Sequence, residues 1–561
     1  MPWNDTAQID FLNPAAREEV IQEILHVARN FPIIRFDAAM VLAKKHIRRL
    51  WYPEPGRGGD IATRSETQLS TQQFEKAIPQ EFWREVVDRV AKEVPDTLLL
   101  AEAFWMMEGY FVRTLGMHRV YNSAFMNMLK KEENQKYRDT VKNTLSFDPR
   151  VLKRFVNFMN NPDEETAEAQ FGKGDKYFGV CTLMVTMPGL PMFGHGQIEG
   201  FTEKYGMEYT KAYKNEMPDE YLVERHCRQI FPLMKKRYLF AQIDDFLFFD
   251  VWDNGHVNEN IFAYSNRCGN EKAVVFYNNK YEHASGTIKQ SVPYAVKTGS
   301  DEQNSEKCSR SISEGLGLSD ENGRYCIFRD IVSGLWYVRQ SSGICRNGIF
   351  VSLNGFETQV LMDIHEEIDG NDCKWRNISN ALNGKGTPDL EIFWQEFTYR
   401  DLYKALSAFM NPEFLKNMYA LLHEGKSAKE TKGKTAAEKK TAAKNKAQKM
   451  PSLASVLAKV KVAGLAYFTQ VSAFAENPEK HAVVSTAVTC SASALKQFSD
   501  FSKKCRNLVT LSKKKTAAKQ DVLGNAVLHS PQILDVLFCL AASGKSSYSG
   551  KAVEWSLYRK F

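Results

Sequence analysis

Up to about residue 200 this chain alternates short apolar, β-branched runs with segments of helical period, and that alternation restricts its fold more than any other feature. The runs are Ile33–Asp37, Thr97–Glu102, Arg119–Ser123, Leu152–Met159 and Leu190–Phe193. Ahead of the first, Asn13-Pro14 supplies a capping residue and a first-turn proline for a helix whose apolar face is Val20, Ile21, Ile24, Leu25 and Ala28. A second helix starts near Pro79 with Phe82, Trp83, Val86, Val87 and Val90 inward, and a third spans Lys176–Thr186. Strands alternating with helices argue for a parallel sheet with crossover helices. A closed barrel of this kind takes eight strands, and five are counted here, so the expectation is an α/β fold built on an incomplete (β/α)8 TIM barrel. The helix before Ile33 has no strand to cross over from. The expectation is therefore that the first three βα units lie upstream of Met1 and that the chain is the C-terminal part of a longer protein.

From Ile261 the apolar period changes to two. IFAYSNR, AVVFYNN, GLWYVRQ, GIFVSLN and TQVLMDI are short strands divided by Gly, Asn and Ser clusters, the pattern of an antiparallel β-sandwich. Beyond Asp369 the period is helical again. The expected organisation is a partial barrel over 1–255, a sandwich over 256–368, a helical segment over 369–425, a Lys/Ala-rich linker over 426–450 and a helical extension over 451–561. The linker holds nine lysines against Glu430 and Glu438, so much of the net charge of +7 is local to it. That distribution is a tail property and does not describe a nucleic-acid-binding face. Ten cysteines stand singly, without C-x-x-C pairs or histidines at zinc-ligand spacing, which suits free thiols in a reducing, cytoplasmic compartment. No stretch approaches the length of a membrane span, and the N-terminus has no signal-peptide pattern.

Three carboxylates follow the apolar runs: Asp37 in IIRFDAAM, Glu102 in LLLAEAFW and Asp163 in FMNNPDEE. Groups at the carboxyl ends of parallel barrel strands converge on one face. Two or three carboxylates in one pocket suit glycosidic-bond cleavage, where one protonates the leaving oxygen and another attacks or stabilises the anomeric carbon. Arg35 lies two residues before Asp37, on the same strand face, and its two-pronged donor suits a carboxylate that must stay ionised. Glu102 sits among Ala101, Ala103, Phe104 and Trp105, an apolar setting that raises a carboxyl's pKa and keeps a proton for the leaving group.

These segments together resemble the α-amylase family of retaining glycoside hydrolases (family thirteen). Arg35 and Asp37 resemble its nucleophile strand, LLLAEAF its acid/base strand, NNPDEE its third catalytic motif, and PGLPMFGHGQIEG (188–200) its last barrel strand and following loop. Order and spacing agree over residues 1–250, and the sandwich falls where that family keeps its C-terminal β domain. The resemblance implies Asp37 as nucleophile, Glu102 as acid/base and Asp163 as the group that binds sugar hydroxyls and strains the ring, with Asn161 and Arg35 beside them. It implies an α-glucan or maltooligosaccharide substrate, with hydrolysis, glucanotransfer by the same covalent route, or binding without catalysis as the activities to separate. One departure is Pro162, where the family usually has a histidine that donates to the sugar; His195 in FGHGQ is a candidate to compensate, with a structural loop histidine as the alternative. Lys44 and His46 are candidates for an acceptor subsite, with an exposed helix face as the alternative, and Trp51, Tyr52, Trp105 and Tyr110 lie on loops where rings could stack on sugars, with core packing as the alternative. No cofactor is required. The family's first motif and any structural calcium ligands are expected upstream of Met1, on a missing N-terminal barrel segment expected as this chain's partner, without which the chain alone is expected to be a poor enzyme.

Overall fold

In the computed structural model the first helix runs Pro14–Asn30: Asn13 accepts the Ala15 N–H, Pro14 fills the first turn, and Ile21, Leu25 and Ala28 are buried. The structure describes residues 8–57, 62–104, 107–205, 210–297, 305–422, 451–476 and 492–514. They fall in two compact units, Met1–Asp369 with Leu382–Pro388, and Gly370–Ala381 with Asp389–Phe561.

The first unit holds a parallel sheet of β1 (Ile33–Phe36), β2 (Leu98–Ala101), β3 (Arg119–Tyr121), β4 (Phe155–Phe158) and β5 (Leu190–Met192). The strands lie in chain order and every pair is parallel. The sheet is open, with β1 and β5 at its edges. Its centre is buried on both faces, as is usual for parallel sheets: all four residues of β4 are buried, Asn157 among them by accepting from Asn122, whereas Ile33 of β1 and Leu190 of β5 are exposed. The Pro188-Gly189 turn into β5 needs its glycine, whose φ is +113° and whose Cβ would strike the Phe155 carbonyl oxygen at 2.5 Å.

Two boundaries differ from the sequence reading. Leu152 and Lys153 belong to a helical turn, Arg150–Lys153, because Asp148 accepts the Arg150 N–H and Pro149 starts the turn. Ser123 opens a helix, Ser123–Lys130, rather than closing a strand, since Asn122 caps it by accepting the Phe125 N–H. A further helix, Asn134–Phe147, leads on to β4.

Two larger antiparallel sheets follow, beside a two-stranded one, Tyr294–Lys297 with Ser305–Cys308. One has six strands in the order Trp336–Gln340, Arg324–Asp330, Thr358–Ile368, Glu271–Asn278, Ile261–Cys268 and Leu247–Phe249; the other has four, Ile349–Leu353, Ala284–Ile288, Trp252–Asp253 and His256–Val257. They share a core in which Phe249, Ala263, Val274, Phe276 and Leu361 of the first meet Ala284, Ile288, Val351 and Leu353 of the second. The sheets start at Leu247, so the boundary expected at residue 256 falls inside a hairpin. Arg138, fully buried on the Asn134–Phe147 helix, ties that helix to the sheets: it donates to the Ile261 carbonyl at 2.6 Å, to Glu259 at 2.7 Å and to Asp250.

Helix Glu220–Gln229 buries His226 completely among Tyr177, Phe178, Phe193 and Phe231. Tyr177 donates to the Gln197 carbonyl at 2.9 Å, so its oxygen accepts from His226 Nε2 at 2.9 Å. Burial, with Arg225 adding to it, pushes the His226 imidazole down to about 4. The unfolded chain binds this proton near pH 6.5 and the folded chain does not. Stability is therefore complete above pH 6.5 and falls as pH drops toward 4, by at most about 3 kcal/mol from this group. Urea midpoints at pH 7 and pH 4.5 check this: His226→Phe should show a smaller acid loss than the wild type, and an equal loss would refute it.

The second unit is helical, with Arg400–Phe409, Pro412–Leu422, Leu453–Glu476 and Ala492–Lys514 around Leu406, Phe409, Tyr467, Phe468 and Phe501. Phe409 stacks on Tyr467 with ring centroids 5.5 Å apart. The Lys/Ala-rich stretch 426–450 and residues 515–561 lie outside the described residues. Among those described, no helix is long and apolar enough to cross a membrane, and eight cysteines are unpaired.

Candidate active site

Phe36, Ala101 and Val120 are paired across β1, β2 and β3. The next residue on each strand is Asp37, Glu102 and Tyr121, so these three side chains form a row at the strands' carboxyl ends. Asp163 joins them from the loop after β4. One oxygen from each of Asp37, Glu102 and Asp163 lies within 4.8 Å of the others.

Arg35 binds all three. Its Nη1 is 2.7 Å from Asp37, and its Nη2 is 3.2 Å from Glu102 and 3.9 Å from Asp163. Its Nε donates to the Tyr121 hydroxyl at 3.0 Å. Three acidic groups this close could bracket a metal ion, but here the guanidinium already lies among them as the cation.

The carboxyls differ in setting. The Asp37 and Asp163 side chains are each 49% exposed and Glu102 only 4%. Burial first, then the neighbouring Asp37, hold Glu102 above the usual carboxylate range, against the opposing pulls of the Ala38 N–H and Arg35. Glu102 Oε2 accepts the Ala38 N–H at 2.9 Å, while Oε1 is buried without a donor, as suits a protonated carboxyl. Ala38 reaches Glu102 through a left-handed backbone, φ 41° and ψ 35°, an unfavourable state for a residue with a Cβ.

The loop carrying Asp163 is built locally. Asn161 Oδ1 accepts the N–H groups of Asp163 and Glu164, each at 3.0 Å, and Lys204 Nζ donates to the Asp163 carbonyl at 2.8 Å. Buried Asn161, expected beside the carboxylates as a substrate-binding residue, thus uses its side-chain oxygen to position the loop. Gly194 lets the next loop press on Asn160, whose Oδ1 an added Cβ would meet at 2.3 Å.

The other sequence candidates have partners elsewhere. Lys44 Nζ pairs with Glu75 at 2.6 Å, and Glu81 accepts both the Lys44 N–H and the Tyr110 hydroxyl. His46 is buried at 3% exposure on the helix Lys44–Trp51, so it presents no surface to an acceptor; burial holds its imidazole below the ordinary range. The Tyr52 hydroxyl donates to Asp10 at 2.7 Å, and the Trp51 carbonyl accepts from Thr67. His195 is exposed, with its ring edge-on to Tyr205 at 4.2 Å. Pro162 is exposed. Trp105 lies outside the described residues. Sequence reasoning missed Tyr121 and Ala38; the signal for Tyr121 was its place near the end of a strand neighbouring those that carry Asp37 and Glu102.

No family model matches the chain, and no curated protein matches it. Solved structures are similar over part of its length. An Anoxybacillus α-amylase is 12% identical over 62% of this chain and 63% of its own, with a TM-score of 0.40. The Geobacillus thermoleovorans α-amylase solved with acarbose is 12% identical over 63% and 64%, at 0.42. A maltogenic α-amylase from Thermotoga neapolitana is 14% identical over 64% and 69%, at 0.41. The chain thus spans slightly under two thirds of the first two.

Proposed function

We propose that this chain acts as a retaining glycosidase on α-linked glucans. One observation supports the reading above the rest: the Arg35-bridged carboxyls, an exposed, ion-paired Asp37 beside a buried Glu102 whose pKa is raised. Retaining enzymes place their two carboxyls about 5–5.5 Å apart and inverting ones about 6.5–9.5 Å, the wider gap admitting a water. That one oxygen of Asp37 and one of Glu102 approach within 4.8 Å supports the narrower spacing.

In this mechanism Glu102 gives its proton to the glycosidic oxygen while Asp37 attacks the anomeric carbon and becomes a glycosyl ester. Arg35 Nη1 holds the Asp37 carboxylate at 2.7 Å and fixes its direction for that attack. Glu102, now ionised, takes a proton from the incoming water, which breaks the ester and restores both groups. Asp163 holds sugar hydroxyls as the ring distorts. The α-glucan assignment draws on the sequence motifs around Asp37, Glu102, Asp163 and residues 188–200.

Chromatography of maltooligosaccharides incubated with the full-length protein tests the reading. Shorter products alone are expected. Longer products would replace water with a sugar hydroxyl as acceptor and make the activity glucanotransfer. Unchanged substrate would leave a glucan-binding relative without catalysis, which the non-donating Pro162 favours.

A further inference from the structure

We propose that Tyr121 is a positioning residue of this site: its hydroxyl anchors Arg35 and so sets how the guanidinium is shared between Asp37 and Glu102. The inference rests on the reading above, in which those carboxyls work as a pair. Tyr121 is 2% exposed, and its ring packs on Phe158 with centroids 5.2 Å apart, so the oxygen has little freedom. It sits on β3, two strands from Arg35, and accepts the Nε–H at 3.0 Å.

A guanidinium is a planar fork whose donors move together. With Nε fixed on Tyr121, Nη1 faces Asp37 at 2.7 Å and Nη2 faces Glu102 at 3.2 Å. Freed from the hydroxyl, the fork can turn to grip the nearer carboxylate, Asp37, with two donors. Glu102 then keeps the Ala38 N–H and loses the cation. The groups facing Glu102 are Arg35 and Asp37 from β1 and its end, Tyr121 from β3 and Asp163 beyond β4. Arg35 lowers the Glu102 carboxyl, whereas burial and Asp37 raise it, so withdrawing Arg35 raises it further.

Tyr121→Phe in the full chain keeps the ring and removes the oxygen. Glu102 can be followed by 13C NMR with labelled glutamate, its signal assigned by comparison with Glu102→Gln. The expected result is a Glu102 midpoint about 0.5–1 pH unit above wild type, the low end of what one close opposite charge contributes. The alkaline limb of kcat/KM on maltooligosaccharides should move up with it, and kcat/KM at neutral pH should fall about 10-fold, well within what small misplacements cost. An unmoved midpoint and limb in a folded Tyr121→Phe would overturn the proposal. If that variant fails to fold by near-UV circular dichroism, Arg35→Lys substitutes, since it keeps the charge and loses the Nε donor; a Glu102 midpoint unmoved there overturns it equally. A wild type that cleaves no maltooligosaccharide would sink the glycosidase reading alone, because the titration decides the role of Tyr121 without turnover.

Discussion

Asp37→Asn is expected to lower maltooligosaccharide turnover by at least about 1,000-fold, the scale on which loss of a nucleophile is felt. An amide at this position cannot form the glycosyl ester. The side chain is half exposed and its main partner is Arg35, so the fold should survive and the thermal midpoint should stay close to wild type. Glu102→Gln should cost about 10²–10⁴-fold on natural glucan, the range for a general acid, and far less on a glycoside whose leaving group needs no proton. That contrast separates the two roles: only the Glu102 variant is rescued by a better leaving group. Wild-type rates in both variants would mean that the carboxyl cluster does not carry the chemistry.

Arg138→Met should be the most damaging single change to the first unit. The side chain is fully buried and ion-paired with Glu259 and Asp250, whose side chains are 32% and 21% exposed. Methionine fills much of the volume but leaves the Ile261 carbonyl and Glu259 without this donor, while Asp250 keeps Lys142 at 2.7 Å. Breaking a buried pair in this way costs about 3 kcal/mol or more. Urea denaturation followed by tryptophan fluorescence measures it, and a loss under about 0.5 kcal/mol, the size of an ordinary surface change, would contradict the assigned role. Adding Glu259→Gln should recover part of the loss, since the unpaired charge is then gone.

The parallel sheet was legible because a strand buried on both faces reads as an unbroken apolar run. Phe155–Phe158 does so except at Asn157, whose amide donates to the Pro188 carbonyl, and all four residues are buried. The same rule misplaced Leu152, whose side chain is buried from a helical turn rather than a strand. Ala284–Ile288 of the sandwich escaped notice because ASGTI carries few large apolar residues. In the site, Asp37, Glu102 and Asp163 were visible through the runs ahead of them. Tyr121 matters through a hydrogen bond to a residue 86 positions away, and Ala38 through a backbone angle, neither of which local composition records. The aromatic and basic candidates met the opposite problem. Tyr52, Tyr110 and Lys44 have types suited to a sugar site, but Asp10, Glu81 and Glu75 claim their polar atoms from distant segments.

The central claim is that Asp37 becomes covalently bonded to sugar while Glu102 moves the proton. Trapping tests it most directly: the full chain is incubated with a 5-fluoro-α-glucosyl fluoride, whose ring fluorine slows breakdown of the ester, then digested and mapped by mass spectrometry. The account predicts one fluoroglucosyl group per chain on the peptide containing Asp37, absent in Asp37→Asn and still formed in Glu102→Gln, because fluoride leaves without a proton. An adduct on Glu102 or Asp163, or cleavage that releases the inverted anomer with no adduct, would contradict it.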